Sequence, residues 1–166
     1  MRRLLLLLLG LAVGFTAGCK RKEVTSLQRK QAASLASEAD FAISLRDYAR
    51  AEGLLTQAVT VCPDIPDYWL NLGMMRRRLG NRPGAKAAYE QTLALARDNS
   101  RRDAANPMPL LQQVYVLAVL GRVDEARATL AQAQKILPDD RSIRAFVENR
   151  DLDRILVTPV FKEIAL

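Results

Sequence analysis

Histidine occurs at none of the 166 positions of this chain. Its absence excludes imidazole acid–base catalysis and every histidine-bearing metal site. Cysteine is almost as scarce: two thiols can neither build a disulfide framework nor close a four-ligand zinc site. No Gly-rich phosphate loop, His-Glu-x-x-His run or Gly-x-Ser-x-Gly elbow occurs either. Cys62 stands directly before Pro63 with no base to activate it, so it reads as a packed small residue at a helix end. The Asp139-Asp140 pair and Asp151 with Asp153 fall at helix junctions, where capping explains them. No catalytic residue, cofactor or metal is expected. Aromatic residues are only 5%, which weakens the case for nucleic acid that a charge of +7 and a pI near 9.8 would otherwise make.

What is present suits one globular domain: 49% hydrophobic and 26% charged residues over a length typical of a single fold. The N-terminus is set aside first. Arg2 and Arg3 form a positive start, and Leu4 to Phe15 form an apolar run too short to span a bilayer. Thr16-Ala17-Gly18-Cys19 follows.

This arrangement resembles the bacterial lipobox, although Thr16 stands where leucine is usual. The resemblance implies cleavage after residue 18 and acylation of Cys19. Several acyl chains on one residue anchor a protein durably, whereas one binds only marginally. Lys20 occupies the place where aspartate would signal inner-membrane retention, so the resemblance points to the outer membrane, facing the periplasm. An ordinary secretory signal is the alternative reading. On either reading the chain is exported, which is a further reason to expect no nucleic-acid partner.

The middle of the chain repeats itself. Arg46, Gly80 and Gly121 are each followed after five residues by Ala51, Ala85 and Ala126. Four further on stand Leu55, Tyr89 and Leu130; then come Ala58, Thr92 and Ala133, and finally Pro63, Arg97 and Pro138. The second unit adds Trp69-Leu70-Asn71-Leu72-Gly73. The pattern and its 34-residue first offset resemble the tetratricopeptide repeat. Units run at about 32–65, 66–99 and 107–140, with residues 100–106 inserted. Ahead of them, residues 19–31 hold the lipid-attachment cysteine and a short basic tether, with Thr25-Ser26-Leu27-Gln28 reading as a capping box. Residues 141–166 read as capping helices, the last opened by Thr158-Pro159. The expected fold is therefore all-α: a helix-turn-helix solenoid of three repeats with a C-terminal helical cap.

The resemblance also implies where function lies, because the first helix of each pair lines a concave groove in this family. Carried over by position, the groove comprises Asp40 and Ile43 from unit one and Leu70, Asn71, Met74, Arg77 and Arg78 from unit two. Unit three contributes Leu111, Gln112 and Tyr115, with Met108, Ala118 and Val119 beside them. Mostly apolar with an arginine pair at its centre, this lining suits an amphipathic helix or extended peptide bearing a carboxylate. The carboxylate-clamp subtype is rejected, since only Asn71 matches its residues. The expectation is a non-catalytic adaptor or assembly factor of the bacterial envelope, membrane-bound through its lipid, whose partner is another envelope protein or a peptide segment of one. Two other classes stay open: an unrecognised envelope enzyme or its regulatory subunit, and a self-associating spacer.

Overall fold

The computed structural model describes residues 23–166. The export signal, Cys19 and the residues Lys20, Arg21 and Lys22 lie outside the described residues. Everything regular within them is helical: α1 (Ser26–Ser44), α2 (Tyr48–Val61), α3 (Pro66–Arg78), α4 (Arg82–Arg102), α5 (Met108–Val119), α6 (Val123–Ile136), α7 (Arg141–Glu148), α8 (Asp151–Val157) and α9 (Pro159–Ile164). The helices pack as α1 with α2, α3 with α4 and α5 with α6, and successive pairs stack through α2 on α3 and α4 on α5. This is a solenoid of three helix pairs followed by three short helices. Among the described residues, no helix is long and apolar enough to cross a membrane.

Short-range chemistry sets the helix ends. The Thr25 hydroxyl accepts the Gln28 N–H at 3.2 Å, while the Gln28 carboxamide oxygen accepts the Thr25 N–H at 2.9 Å. That reciprocal pair starts α1. Asp47 and Asn81 cap α2 and α4 by accepting the N–H groups of Arg50 and Gly84. The residue before each cap is left-handed: Arg46 at φ 59° and Gly80 at φ 81°, with Gly121 at φ 75° in the third pair. Glycine adopts that backbone freely, whereas Arg46 carries a Cβ clash of roughly 1–2 kcal/mol.

Small residues let the pairs close up. Ala39, Ala42, Ala51, Ala85, Ala88 and Ala126 are all buried at helix contacts. Pro63 and Pro138 follow the ends of α2 and α6, where proline cannot continue a helix. The inserted segment lengthens α4 by three residues, to 21 in all, and its other four form the turn that follows. Asp103 to Asn106 turn the chain, and the Asn106 side chain accepts the Met108 N–H at 3.0 Å. The helix itself begins at Met108, with Pro107 in the N-cap position.

The core has two connected parts. One lies between the first two pairs, around Leu55, Val59, Leu72 and Met75. The other gathers Tyr89, Leu93, Val114, Leu117, Phe161 and Ile164 from unit two, unit three and the cap. Tyr89 is the largest fully buried side chain, and its ring occupies the space beside Gly73 where a Cβ would project. Trp69 packs only at the edge of the first part, half-buried, with its indole N–H donated to the Pro63 carbonyl at 2.9 Å. Ala118 and Val119 are also core residues, 1% and 0% exposed, and do not line a surface groove.

Candidate functional site

The three consecutive arginines at the end of α3 have three separate destinations. Arg76 turns towards unit one and meets Glu52 of α2 at 3.0 Å, both partly buried. Arg77 donates its Nε–H to the carbonyl of Ala165 at 2.7 Å. Arg78 lies over the Tyr48 ring at 4.9 Å, a cation–π contact, and comes within 3.4 Å of Glu163. The side chains of Arg77 and Arg78 thus face the C-terminal segment and not bulk water. Between them, Tyr48 and Glu163 border a cavity of about 410 Å³.

The capping helices therefore do more than close the end of the array. Helix α9 folds back across unit three and lies against α3. Phe161 meets Tyr115 edge-on, with ring centroids 6.4 Å apart and planes at 80°. The Tyr89 hydroxyl donates to the carbonyl of Ile164 at 2.8 Å, and the Leu166 N–H to that of Val119 at 2.9 Å. Burial pushes the Tyr89 phenol well above its usual range, so it remains a donor at all ordinary pH.

Of the expected groove residues, Leu70, Met74 and Tyr115 pack against the core part that holds Phe161 and Ile164. Arg77 and Arg78 reach the same C-terminal segment, at Ala165 and Glu163. Asn71 and Leu111 are half-buried nearby in sequence on α3 and α5. Gln112 donates to Asp67 at 2.6 Å, tying unit three to unit two. Ile43 packs on the first core part, and Met108 is exposed. Asp40 is exposed on α1 and is not brought to the arginine pair. The C-terminal segment of the chain itself lies against Arg77, Arg78 and Tyr115. Tyr48, Phe161, Glu163, Ile164 and Ala165 were missed as site residues, although the Pro159-x-Phe161 pattern marked the segment as a cap.

Cys62 sits in a polar cluster that ties α1 to the α2–α3 turn. Its thiol donates to Asp64 at 3.0 Å, and Asp64 is held bidentately by Arg29 at 3.3 and 2.7 Å. Burial, then Asp64, pushes the thiol up to about 11. Burial also pushes the Asp64 carboxyl up, but the hydrogen bonds from Arg29 and Cys62 outweigh it and the net shift is down. At pH 8 the thiol is therefore overwhelmingly protonated. Iodoacetamide at pH 8 is accordingly expected to spare the Cys62 peptide in the folded chain and modify it in urea, as read by peptide mass mapping. Equal modification in both states would show that Cys62 is accessible and not packed. Among the described residues, no group of three or more His, Cys, Asp or Glu side chains is placed to hold a metal ion.

The family model of the tetratricopeptide repeat matches residues 69–103, from Trp69 of α3 to just past the end of α4. No curated protein matches the chain by sequence. Solved structures do match by fold. The Yersinia enterocolitica type III secretion translocator chaperone SycD aligns with TM-score 0.50 at 19% identity, over 76% of this chain and 88% of that one. Its alternative dimer gives 0.51 at 17% identity, over 80% and 93%. Its complex with a peptide of the translocator YopD gives 0.50 at 17%, over 80% and 94%. The chain therefore has a tetratricopeptide-type fold, with its second unit matching the family's own sequence pattern.

Proposed function

We propose that this chain is a non-catalytic adaptor or assembly factor, held to a bacterial envelope membrane by lipid on Cys19, that binds a segment of another envelope protein on the concave side of its repeats. The observation that carries the binding role is the pair Arg77–Arg78, partly buried and bordering, with Tyr48 and Glu163, a cavity of about 410 Å³. Cations held partly out of water are less screened than exposed ones and form charge-assisted hydrogen bonds with a carboxylate. Support for a peptide partner comes from SycD, which shares the fold and whose solved structures include a complex with a peptide of YopD. Support for the anchor is the run Thr16-Ala17-Gly18-Cys19 after the apolar N-terminal stretch.

Two arms test this. Cys19→Ala is expected to lose incorporation of a clickable palmitate analogue and to leave the membrane pellet; unchanged incorporation would end the lipoprotein reading. In the second arm, tagged chain is cross-linked in cells and recovered from detergent-solubilised membranes. Wild type and the control Arg101→Glu with Arg102→Glu are expected to retrieve the same partner, and Arg77→Glu with Arg78→Glu to lose it while keeping its helical signal. Loss in the control with retention in the arginine-pair variant would place binding at the end of α4 and not in the groove.

A further inference from the structure

The segment that already fills the groove has the attributes of a bound peptide. Phe161 and Ile164, three residues apart on one helical face, are buried among unit two and unit three. Glu163 between them reaches towards Arg78. The carbonyls of Ile164 and Ala165, at the C-terminal end of α9, are bound by side chains, the Tyr89 hydroxyl and the Arg77 guanidinium. Apolar anchors in pockets, a carboxylate near a cation and end carbonyls captured by donors are what an incoming segment would use.

The fit is incomplete at one point. Arg78 Nε is buried and, among the described residues, has no hydrogen-bond partner, because the Glu163 carboxylate stands 3.4 Å away in poor geometry. A buried donor left without an acceptor is unfavourable, and for a charged group especially so. The side chain of Glu163 is 60% exposed while that of Arg78 is 16% exposed, so the acid reaches in from the rim and leaves the cavity beside it unfilled. The segment is also lightly held. Helices α8 and α9 have seven and six residues, too short to be stable by themselves, and they follow Arg150, a left-handed non-glycine residue at φ 53°. Val157 and Val160 beside the anchors remain 69% and 58% exposed.

We infer that α9 is a resident stand-in for the partner. The partner displaces it with a segment of the same chemistry: an aromatic residue, an aliphatic residue three positions later, and a carboxylate that completes the bonding of Arg78. This rests on the groove-binding reading above and gives that reading a partner chemistry. It also makes the free protein self-blocked, since apparent affinity falls by the fraction of chains with α9 released.

The test uses the full chain and a fluorescein-labelled peptide with the sequence of residues 158–166, followed by anisotropy. Wild type is expected to take up the peptide weakly. Glu163→Arg places a cation opposite Arg78 and loosens α9 without emptying the core; it is expected to raise affinity about tenfold or more. Phe161→Ala with Ile164→Ala is expected to do the same. Should that double variant lose helical signal, Glu163→Arg decides. A peptide with alanine in place of the aromatic, or lysine in place of the acid, is expected not to bind. Uptake by none of the folded variants would overturn the inference and make α9 a fixed cap. If the arginine-pair arm of the cross-linking experiment still held in that case, groove binding would stand and only the stand-in would fall. Stable dimers of wild type by light scattering would instead assign α9 to the groove of a second copy and overturn the partner claim.

Discussion

Tyr89→Ala is expected to lower the thermal midpoint by roughly 6–20 °C, since emptying a large aromatic site costs about 3–5 kcal/mol in a domain of this size. The side chain is fully buried and belongs to the core part shared by unit two, unit three and the cap. Its hydroxyl also holds the Ile164 carbonyl. Tyr89→Phe isolates that second contribution: the ring stays, the carbonyl loses its donor, and a loss of about 1–3 kcal/mol is expected. Trp69→Ala is expected to cost less than Tyr89→Ala, because the indole sits half-buried at the edge of the first core part. Circular dichroism melts of the three variants check the order. A Tyr89→Ala chain that melts with wild type would mean that the second core part is not what joins the units.

Gly73→Ala is expected to destabilise, against the ordinary preference of helices for alanine. In an open helix the change gains about 1 kcal/mol. Here the new Cβ would overlap the Tyr89 ring, which cannot swing aside because it is packed all round. Overpacking of this kind costs about 1–3 kcal/mol and exceeds the helical gain at the upper end of that range. Combining Gly73→Ala with Tyr89→Ala removes the overlap, so the pair is expected to lose less than the two single changes together. Urea unfolding of the four chains gives the coupling directly. Strict additivity would show that glycine and tyrosine do not meet.

The features legible in the sequence are those made by residues close together along it. Thr25 with Gln28, Asp47 with Arg50, and Asn81 with Gly84 are contacts three residues apart, so the spacing alone locates the helix starts. The same holds for Gly80 and Gly121, whose left-handed backbone is a local requirement of the turn. The size of Tyr89 and Trp69 was visible, but not which ring is enclosed; that depends on α5 and α9, which lie far along the chain. The groove shows the limit most clearly. Position within the repeat grouped Leu70, Met74 and Tyr115, which pack on one core part, with Arg77 and Arg78, which reach the C-terminal segment. The apolar spacing of Phe161 and Ile164 announced a buried face without saying what would bury it. The bond from Arg77 to Ala165 spans 88 residues, and no local pattern encodes it.

That bond changes how the solenoid holds together. In an open array each repeat is coupled only to its neighbours, so unfolding can begin at either end and pass along unit by unit. Here the segment after unit three returns to unit two through Arg77 and Tyr89, and holds unit three through Val119. While α9 is seated, units two and three and the cap are links of a closed loop of contacts that reinforce one another. Unit one stands outside that loop, joined to unit two through the α2–α3 packing, Arg76 with Glu52 and Arg78 over the Tyr48 ring. The fold thus divides into a cooperative body and a more independent first hairpin, and that hairpin is the part nearest Cys19 in the chain.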